Sequence, residues 1–497
     1  MNPKFALIAI IMSCALVSGA FMAVKGADDS GAQLSEYPAY LTVLGNADKD
    51  LDIDADDLSA IQDVIDMGPA AVYSDNYMCD ANHDGRIDAD DLVQVQAMIA
   101  KDWDAVKRVY YVNVDHLIVP YDMTRSNYVI TLIAPPLDSV LAMGGKDLVV
   151  GFDNRITTGK FHSEYARVFG DRQMYDVHNC NDPDVEVILQ ACKDLGSVNI
   201  VCGTRNSYGP TLESALAGTG AQVIRIASWE YGGALYGFMT LGYLLKMESG
   251  AKDYYDKYME CADLVDSIVS SVPDSKRSAG RIGAAAVYGM GEPALLGRYT
   301  GEYANLMVLD PFDSAGSFLQ GKASGSHGNT LGGEDLLAMY QSHNLRHLLI
   351  LVGTPFQIYS ASGDAEASAA GIAATYGRIG GLGLNTLPEL DYCVTGYSFS
   401  SGVGEVLNRL IHCYYLYNED FLAYFGYSTQ ADAQDKLAEY VDWYCESIGI
   451  DSLWSFYGEQ HGGPAGTVGM NLLYCGEGNE MNIMYGPLRG SVSVDSL

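Results

Sequence analysis

Residues 249–272 read SGAKDYYDKYMECADLVDSIVSSV, and Pro273 follows them. Apolar side chains recur at Tyr254, Tyr258, Cys261, Val265, Ile268 and Val272, three or four apart, with Asp, Glu and Lys on the opposite side. That period marks one buried stripe of an α-helix. Ser249 can cap its start and Pro273 cannot continue it, so the spacing predicts a single helix over 249–272. At a rise of about 1.5 Å per residue it is long enough to act as a strut.

Strand-like apolar runs alternate with helical segments on both sides of this strut. They fall at 129–133, 148–150, 198–201 and 222–226 before it, and at 282–288, 348–352 and 392–395 after it. Alternation of this kind builds parallel α/β sheets. The expected fold is therefore α/β: two Rossmann-like lobes, 107–248 and 273–497, joined by the single long helix and separated by a cleft. A chain of 497 residues exceeds what one core supports, which fits this division.

Against 29 Lys and Arg stand 63 Asp and Glu, a formal charge of -34. A surface of that sign repels phosphate backbones, so nucleic acid is excluded as a partner, while calcium and cationic surfaces are favoured. Lys4 precedes an apolar run over 5–24, and the polar stretch GADDSGAQ follows it. Residues 1–26 thus read as a signal peptide or an uncleaved membrane anchor, since about 20 apolar residues can cross a bilayer. Residues 27–39 would be a linker, and an exported chain at the cell surface is expected. No C-x-x-C pair occurs among the ten Cys, which argues against a zinc or iron-sulfur site and leaves buried free thiols as the simplest reading.

Two acidic segments stand in register. Residues 46–57 are NADKDLDIDADD and residues 80–91 are DANHDGRIDADD. Loop positions 1, 3, 5, 9 and 12 carry Asn46, Asp48, Asp50, Asp54 and Asp57 in the first, and Asp80, Asn82, Asp84, Asp88 and Asp91 in the second. A hard cation taking six to eight oxygens needs this spacing, completed at position 7 by the backbone carbonyls of Asp52 and Arg86. Ile53 and Ile87 would pair the two loops, and each loop opens a helix with the same apolar spacing. A solvated acidic run explains the charge but not two copies in register. Two calcium ions are expected, the first more weakly held because Leu51 stands where the second loop has the turn glycine, Gly85.

The pattern D-x-N-x-D-G-x-I-x-x-x-D over 80–91 resembles the dockerin type I module. That resemblance implies a small all-α calcium-binding unit over 40–101 and a cohesin domain as partner, chosen in part by Ala55, Asp56, Ala89 and Asp90. The wider spacing of the two loops departs from the family.

From 107 onward the order of pieces resembles the class III substrate-binding proteins of ABC importers, the iron-siderophore, haem and cobalamin group. It runs hairpin, strand 129–133, turn 134–136, helix 139–144, strand 148–151, then NDPDVEVILQACKDLGSVNIVCG over 181–203. No single motif is specific, but their order is, and it extends to about residue 449. The resemblance implies no enzyme activity, a metal chelate held between the lobes, and a permease docked through Glu186 and Glu334, one per lobe. Residues 450–497 have no counterpart in it.

Loops at the carboxyl ends of strands supply the ligand candidates. Arg205 can pair with a carboxylate or anionic chelate, and Tyr208 can stack on a flat ligand; Trp229 and Tyr231 follow the next strand. In the second lobe they are Tyr288, Arg298, Tyr299 and Tyr303. Any one of these is more often packing than binding, and it is the grouping at strand ends that singles them out. Glycines 289 and 291 do not make a nucleotide fingerprint. Two other readings remain: a dockerin-borne secreted hydrolase using His327 or His461 as base, and a metal-ion receptor of the same fold. His343 and His347, four apart, read as helix-end histidines rather than ligands.

Overall fold

The structure is a computed structural model describing residues 40–157, 165–228, 234–273, 281–287, 295–296, 330–331, 345–352, 391–396, 402–449, 454–459, 467–475, 481–483 and 491–493, with isolated positions 337 and 341. The hairpin of β1 (Arg108–Val112) and β2 (Ile118–Asp122) leads into the first lobe. There β3 (Val129–Thr131), β4 (Val149–Phe152), β5 (Tyr175–Asp176), β6 (Val198–Cys202) and β7 (Ala221–Arg225) form a sheet of order β5-β4-β3-β6-β7. All its pairs are parallel. β3, β4 and β6 are buried at every position, which is why they read as continuous apolar runs rather than alternating ones.

The strut spans Glu248–Ser271, 24 residues. It starts ahead of Ser249, which therefore caps nothing: Met247 holds the cap position, and Glu248 in the first turn pairs with Lys101 at 3.2 Å. All the predicted stripe residues are buried, together with Ala251, Ala262 and Val269. Each large apolar side chain so covered contributes roughly 1.5–3 kcal/mol. The Tyr254 ring lies 5.3 Å from Phe238 and 4.7 Å from Trp443, and its hydroxyl donates to the Val403 carbonyl at 2.8 Å. Asp266 pairs with the buried Arg409 at 2.9 Å, and Tyr440 donates to Glu260 at 2.9 Å.

These contacts correct the domain division. Helices Glu405–Leu416, Asn418–Phe425 and Gln430–Ile448, which the sequence places in the second lobe, cover the strut and share one core with the first lobe. Gly402, just ahead of them, lies against Ser228 and Pro135. The strut is thus a packed rod rather than a bare joint. A tyrosine-rich stripe needs partners for its rings and hydroxyls, and both flanks of the chain supply them.

The second sheet has the order β10-β9-β8-β11-β12-β13-β14-β15, with β16 on β14. Its parallel part is β8 (Arg281–Val287), β11 (Leu345–Val352) and β12 (Asp391–Gly396). β9 (Leu295–Leu296) and β10 (Thr330–Leu331) extend one side in antiparallel fashion. β13 (Trp454–Glu459), β14 (Thr467–Cys475), β15 (Met481–Ile483) and β16 (Ser491–Ser493) extend the other. So the segment after 449 continues this sheet, and the two lobes are not copies. His347 lies within β11, not at a helix end.

The N-terminal unit is not a separate module either. Its buried Leu41, Val43, Ile61, Val95 and Met98 belong to the same continuous core as β1 and the strut. Thr42 N donates to Thr240 Oγ1 at 3.1 Å, the two hydroxyls are 2.8 Å apart, and Val43 bridges Tyr111. Seven cysteines of the described residues, 79, 180, 192, 202, 261, 413 and 445, are buried free thiols. No helix among the described residues is long and apolar enough to cross a membrane.

Candidate functional site

The chain leaves β3 toward β4 on one side and reaches β6 on the other, so the order of the sheet reverses between β3 and β6. Loops diverging from such a switch point open a crevice at the carboxyl ends of the strands. After β3, Ile133 adopts φ 73, a region nearly closed to a β-branched residue. It is held there by its N–H, which donates to the buried Asp153 carboxylate at 2.5 Å. Helix Ala134–Ala142 follows, with Pro135 and Pro136 inside its first turn rather than ahead of it as the sequence suggested. Proline tolerates that place but has no N–H, so this helix end offers few donors to an anion.

The loop after β6, residues 203–210, is clamped from beneath by Arg225, whose side chain is 1% exposed. Its guanidinium donates to the carbonyls of Gly203 at 3.1 Å, Tyr208 at 2.7 Å and Gly209 at 2.7 Å, and grips Glu213 at 2.6 and 3.0 Å. Glu213 also takes Arg205 at 3.0 Å. Partial burial alone would raise the Glu213 carboxyl, but the Arg225 guanidinium, with help from Arg205, outweighs it and holds the group down at about 2. Burial pushes the neighbouring Cys202 thiol up to about 12, so it is an inert packing group. From the hairpin turn, Asp115 accepts the Arg205 N–H at 3.1 Å.

Of the predicted ligand residues, the structure brings Arg205 and Tyr208 together on this one loop. Arg205 has a carboxylate of its own lobe, Glu213, and Tyr208 packs on the core around β6 and helix Val185–Leu195. Trp229, Tyr231, Tyr288, Arg298, Tyr299, Tyr303 and Glu334 lie outside the described residues, as do His327, His343 and His461. Glu186 is exposed in the first turn of helix Val185–Leu195, whose N-cap is Asp184. Sequence reasoning missed Arg225, Glu213 and Asp115. The available signal was a lone arginine inside QVIRIA, a parallel strand where a cation must find a partner.

The two N-terminal loops repeat one hydrogen-bond pattern. Asp57 accepts the N–H groups of Ala47 at 2.6 Å and Asp54 at 2.9 Å; Asp91 accepts those of Asn82 at 3.2 Å and Asp88 at 2.9 Å. Asp80 gathers Asp84 N, Gly85 N and the Tyr73 hydroxyl, whereas Asn46 accepts only Asp50 N and donates to two carbonyls. Gly85 supplies the turn at φ 88, and Leu51 has no such geometry. Asp57, Asp80 and Asp91 are 0–1% exposed, and none has an ion pair among the described residues. Burial pushes Asp57 up to about 7 and Asp91 up to about 6. Buried carboxylates without a cationic side chain fit a bound cation. No three His, Cys, Asp or Glu side chains among the described residues already converge on a metal position, so the asparagines and backbone carbonyls would have to complete each oxygen set. Ile53 and Ile87 pack on the shared core without bridging each other.

No family model and no curated protein matches the chain. Solved structures do resemble it. The molybdate periplasmic binding protein MolA of Haemophilus influenzae aligns with a TM-score of 0.45 at 11% identity, covering 69% of this chain and 98% of its own. The TroA-like periplasmic binding protein FepB of Veillonella parvula gives 0.45 at 12%, covering 66% and 95%. A periplasmic heme binding protein of Pseudomonas aeruginosa gives 0.39 at 16%, covering 59% and 93%.

Proposed function

We propose that this chain is an extracytoplasmic solute-binding protein of an ABC importer that captures a metal chelate, such as a ferric siderophore, haem or cobalamin, between two α/β lobes. The observation that carries it is the switch point of the first sheet, where the Ile133 turn and the clamped loop 203–210 leave adjacent strands on one edge. Both are rigid: the first is held by a buried carboxylate, the second by a buried guanidinium. Rigid loops on a strand edge form a preorganised binding surface, and the packed rod behind them favours small rocking of the lobes over wide hinge opening. Delivery would follow when the permease grips Glu186 and Glu334. The N-terminal loops would hold two calcium ions, the first more weakly since Asn46 brings less charge than Asp80, and would present a dockerin-like face to a cohesin.

Titration of the purified protein with haem, cobalamin and ferric chelates, followed by tyrosine and tryptophan fluorescence, tests the reading. Saturable binding of one class is expected. Failure of every class, with turnover of a glycan or peptide, would replace it with the hydrolase. Binding of bare metal ions alone would favour the metal-ion receptor.

A further inference from the structure

We propose that a groove between the N-terminal unit and the β1–β2 hairpin is a second binding site, separate from the cleft, that takes an anionic sugar. The groove encloses about 680 Å³, within the usual range of small-ligand sites, and the buried Val106 lies at its floor. One backbone turn creates its chemistry. In an extended strand neighbouring side chains point to opposite faces, so Lys107 and Arg108 would diverge. Lys107 instead has φ 55, fixed by its N–H, which donates to the Trp103 carbonyl at 2.8 Å, and by its own carbonyl, which accepts Met123 N at 2.8 Å. Both cations therefore line one groove. Tyr110, two residues on, shares the Arg108 face of β1, and Asp122 stands opposite Arg108 in the hairpin register. Helix Ala89–Ile99 of the N-terminal unit forms the other wall, locked to the strand where Gln94 donates to Arg108 O at 2.9 Å.

The charges there are not balanced. Neither Lys107 nor Arg108 has an ion pair among the described residues, on a chain where acidic groups outnumber basic ones by 63 to 29. Asp122 is already engaged, by Arg125 at 3.2 Å and by the N–H and hydroxyl of Thr124 at 3.0 and 2.6 Å. Counting Arg125, three cations stand against Asp104 and Asp122, one positive charge over, while salt screens the rest of the chain beyond about 8 Å. One carboxylate or phosphate group fits that excess, and the planar fork of Arg108 suits either. The other lining groups suit a polyol: Gln94, Thr124 and Asp104 offer donors and acceptors for hydroxyls, and the partly exposed Tyr110 ring, braced by His83 at 5.0 Å, offers a face for the C–H side of a sugar ring. A bare anion would leave these groups unused. The site needs neither the cleft nor a bound cation.

Calorimetric titration of the full chain with cellobiouronic acid, cellobiose 6′-phosphate and cellobiose, which share one framework and differ in charge, tests the proposal. At least one of the two anionic sugars is expected to bind about tenfold or more tightly than cellobiose, and to weaken as salt is raised. Preference for the acid identifies a uronic sugar, and preference for the phosphate a sugar phosphate. Arg108→Gln should remove the anionic preference while leaving the urea unfolding midpoint in place, since the side chain is exposed; Arg108→Lys, which keeps the charge without the fork, should fall between. Lys107→Gln, equally exposed, should weaken the anionic sugar in the same direction. Equal affinity for all three sugars, or binding of none, would overturn the proposal. Anionic binding undiminished in both Arg108→Gln and Lys107→Gln would place the sugar elsewhere and overturn it as well.

Discussion

Replacing Arg225 with methionine tests whether the clamp under residues 203–210 is a structural requirement. The side chain is 1% exposed and holds three backbone carbonyls and both oxygens of Glu213. Methionine fills similar volume but donates nothing, so the three carbonyls lose these donors and Glu213 keeps only Arg205 and solvent. Removing one partner of a buried pair costs about 3–5 kcal/mol, mostly because of the charge left behind. Glu213 is partly exposed, so water recovers part of that, and a loss near 3 kcal/mol is expected against a typical total of about 5–15 kcal/mol. Guanidinium unfolding of the full chain, followed by tryptophan fluorescence, measures it as a shift in midpoint. Arg225→Lys keeps the charge but not the planar fork and should fall between wild type and Arg225→Met. Adding Glu213→Gln to Arg225→Met should recover part of the stability, since the half-buried carboxylate that has lost the Arg225 guanidinium is then neutral. A loss below about 1 kcal/mol for Arg225→Met would refute the reasoning, because a buried fork with five acceptors cannot be that dispensable.

Acid should destabilise the fold in two stages. Burial holds His412 down at about 3 from 6.5, so its stabilising share is whole above 6.5 and is lost as pH falls from there toward 3; Glu213, held at about 2 from 4.5, loses its share below 4.5. Unfolding midpoints between pH 8 and 3 check this, and His412→Asn should flatten the upper stage. Gly250→Ala should cost about 1–3 kcal/mol, because a Cβ there overlaps the Met143 carbonyl oxygen where the strut meets helix Ala134–Ala142; thermal unfolding reads it. Glu186→Ala and Glu334→Ala should abolish stimulation of the permease ATPase while chelate binding stays unchanged, and weakened chelate binding instead would contradict a docking role. Asp80→Asn should remove the tighter of two calcium sites, and Asn46→Asp should strengthen the weaker one, both read by calorimetry.

The strut, the strands β3, β4, β6 and β7 and the helices Ala55–Met67 and Ala89–Ile99 that open after the two acidic loops were legible because each is dictated locally. Period and turn residues name the element before any tertiary contact forms, although the cap at Ser249 was misplaced. What was not legible depends on pairs far apart in the chain. Thr42 meets Thr240, Tyr254 meets Val403 and Asp266 meets Arg409, and nothing near any of these residues announces its partner. Hence the sequence places residues 40–101 in a module of their own and the helices at 405–448 in the second lobe, whereas their buried faces complete the core of the first lobe. The site was half legible for the same reason. Strand ends named Arg205 and Tyr208, but the residues that hold them, Arg225, Glu213 and Asp115, come from three other segments.

That arrangement changes what the first lobe can recognise. Arg205 alone, on a chain of formal charge -34, reads as the natural anchor for an anionic chelate. In place, two guanidiniums and two carboxylates stand together, Arg205 and Arg225 against Glu213 and Asp115, and their charges cancel. Across β3, the prolines in the first turn of the helix withhold the amides that would otherwise attract an anion. An anionic ligand therefore gains no net attraction from this edge and would have to displace Glu213 from Arg205 to use it. Neutral or cationic chelates face no such competition, and the net negative charge of the chain attracts the cationic ones. Under the proposed function, this edge of the first lobe would favour a neutral corrinoid or a cationic chelate over a multiply charged anionic siderophore.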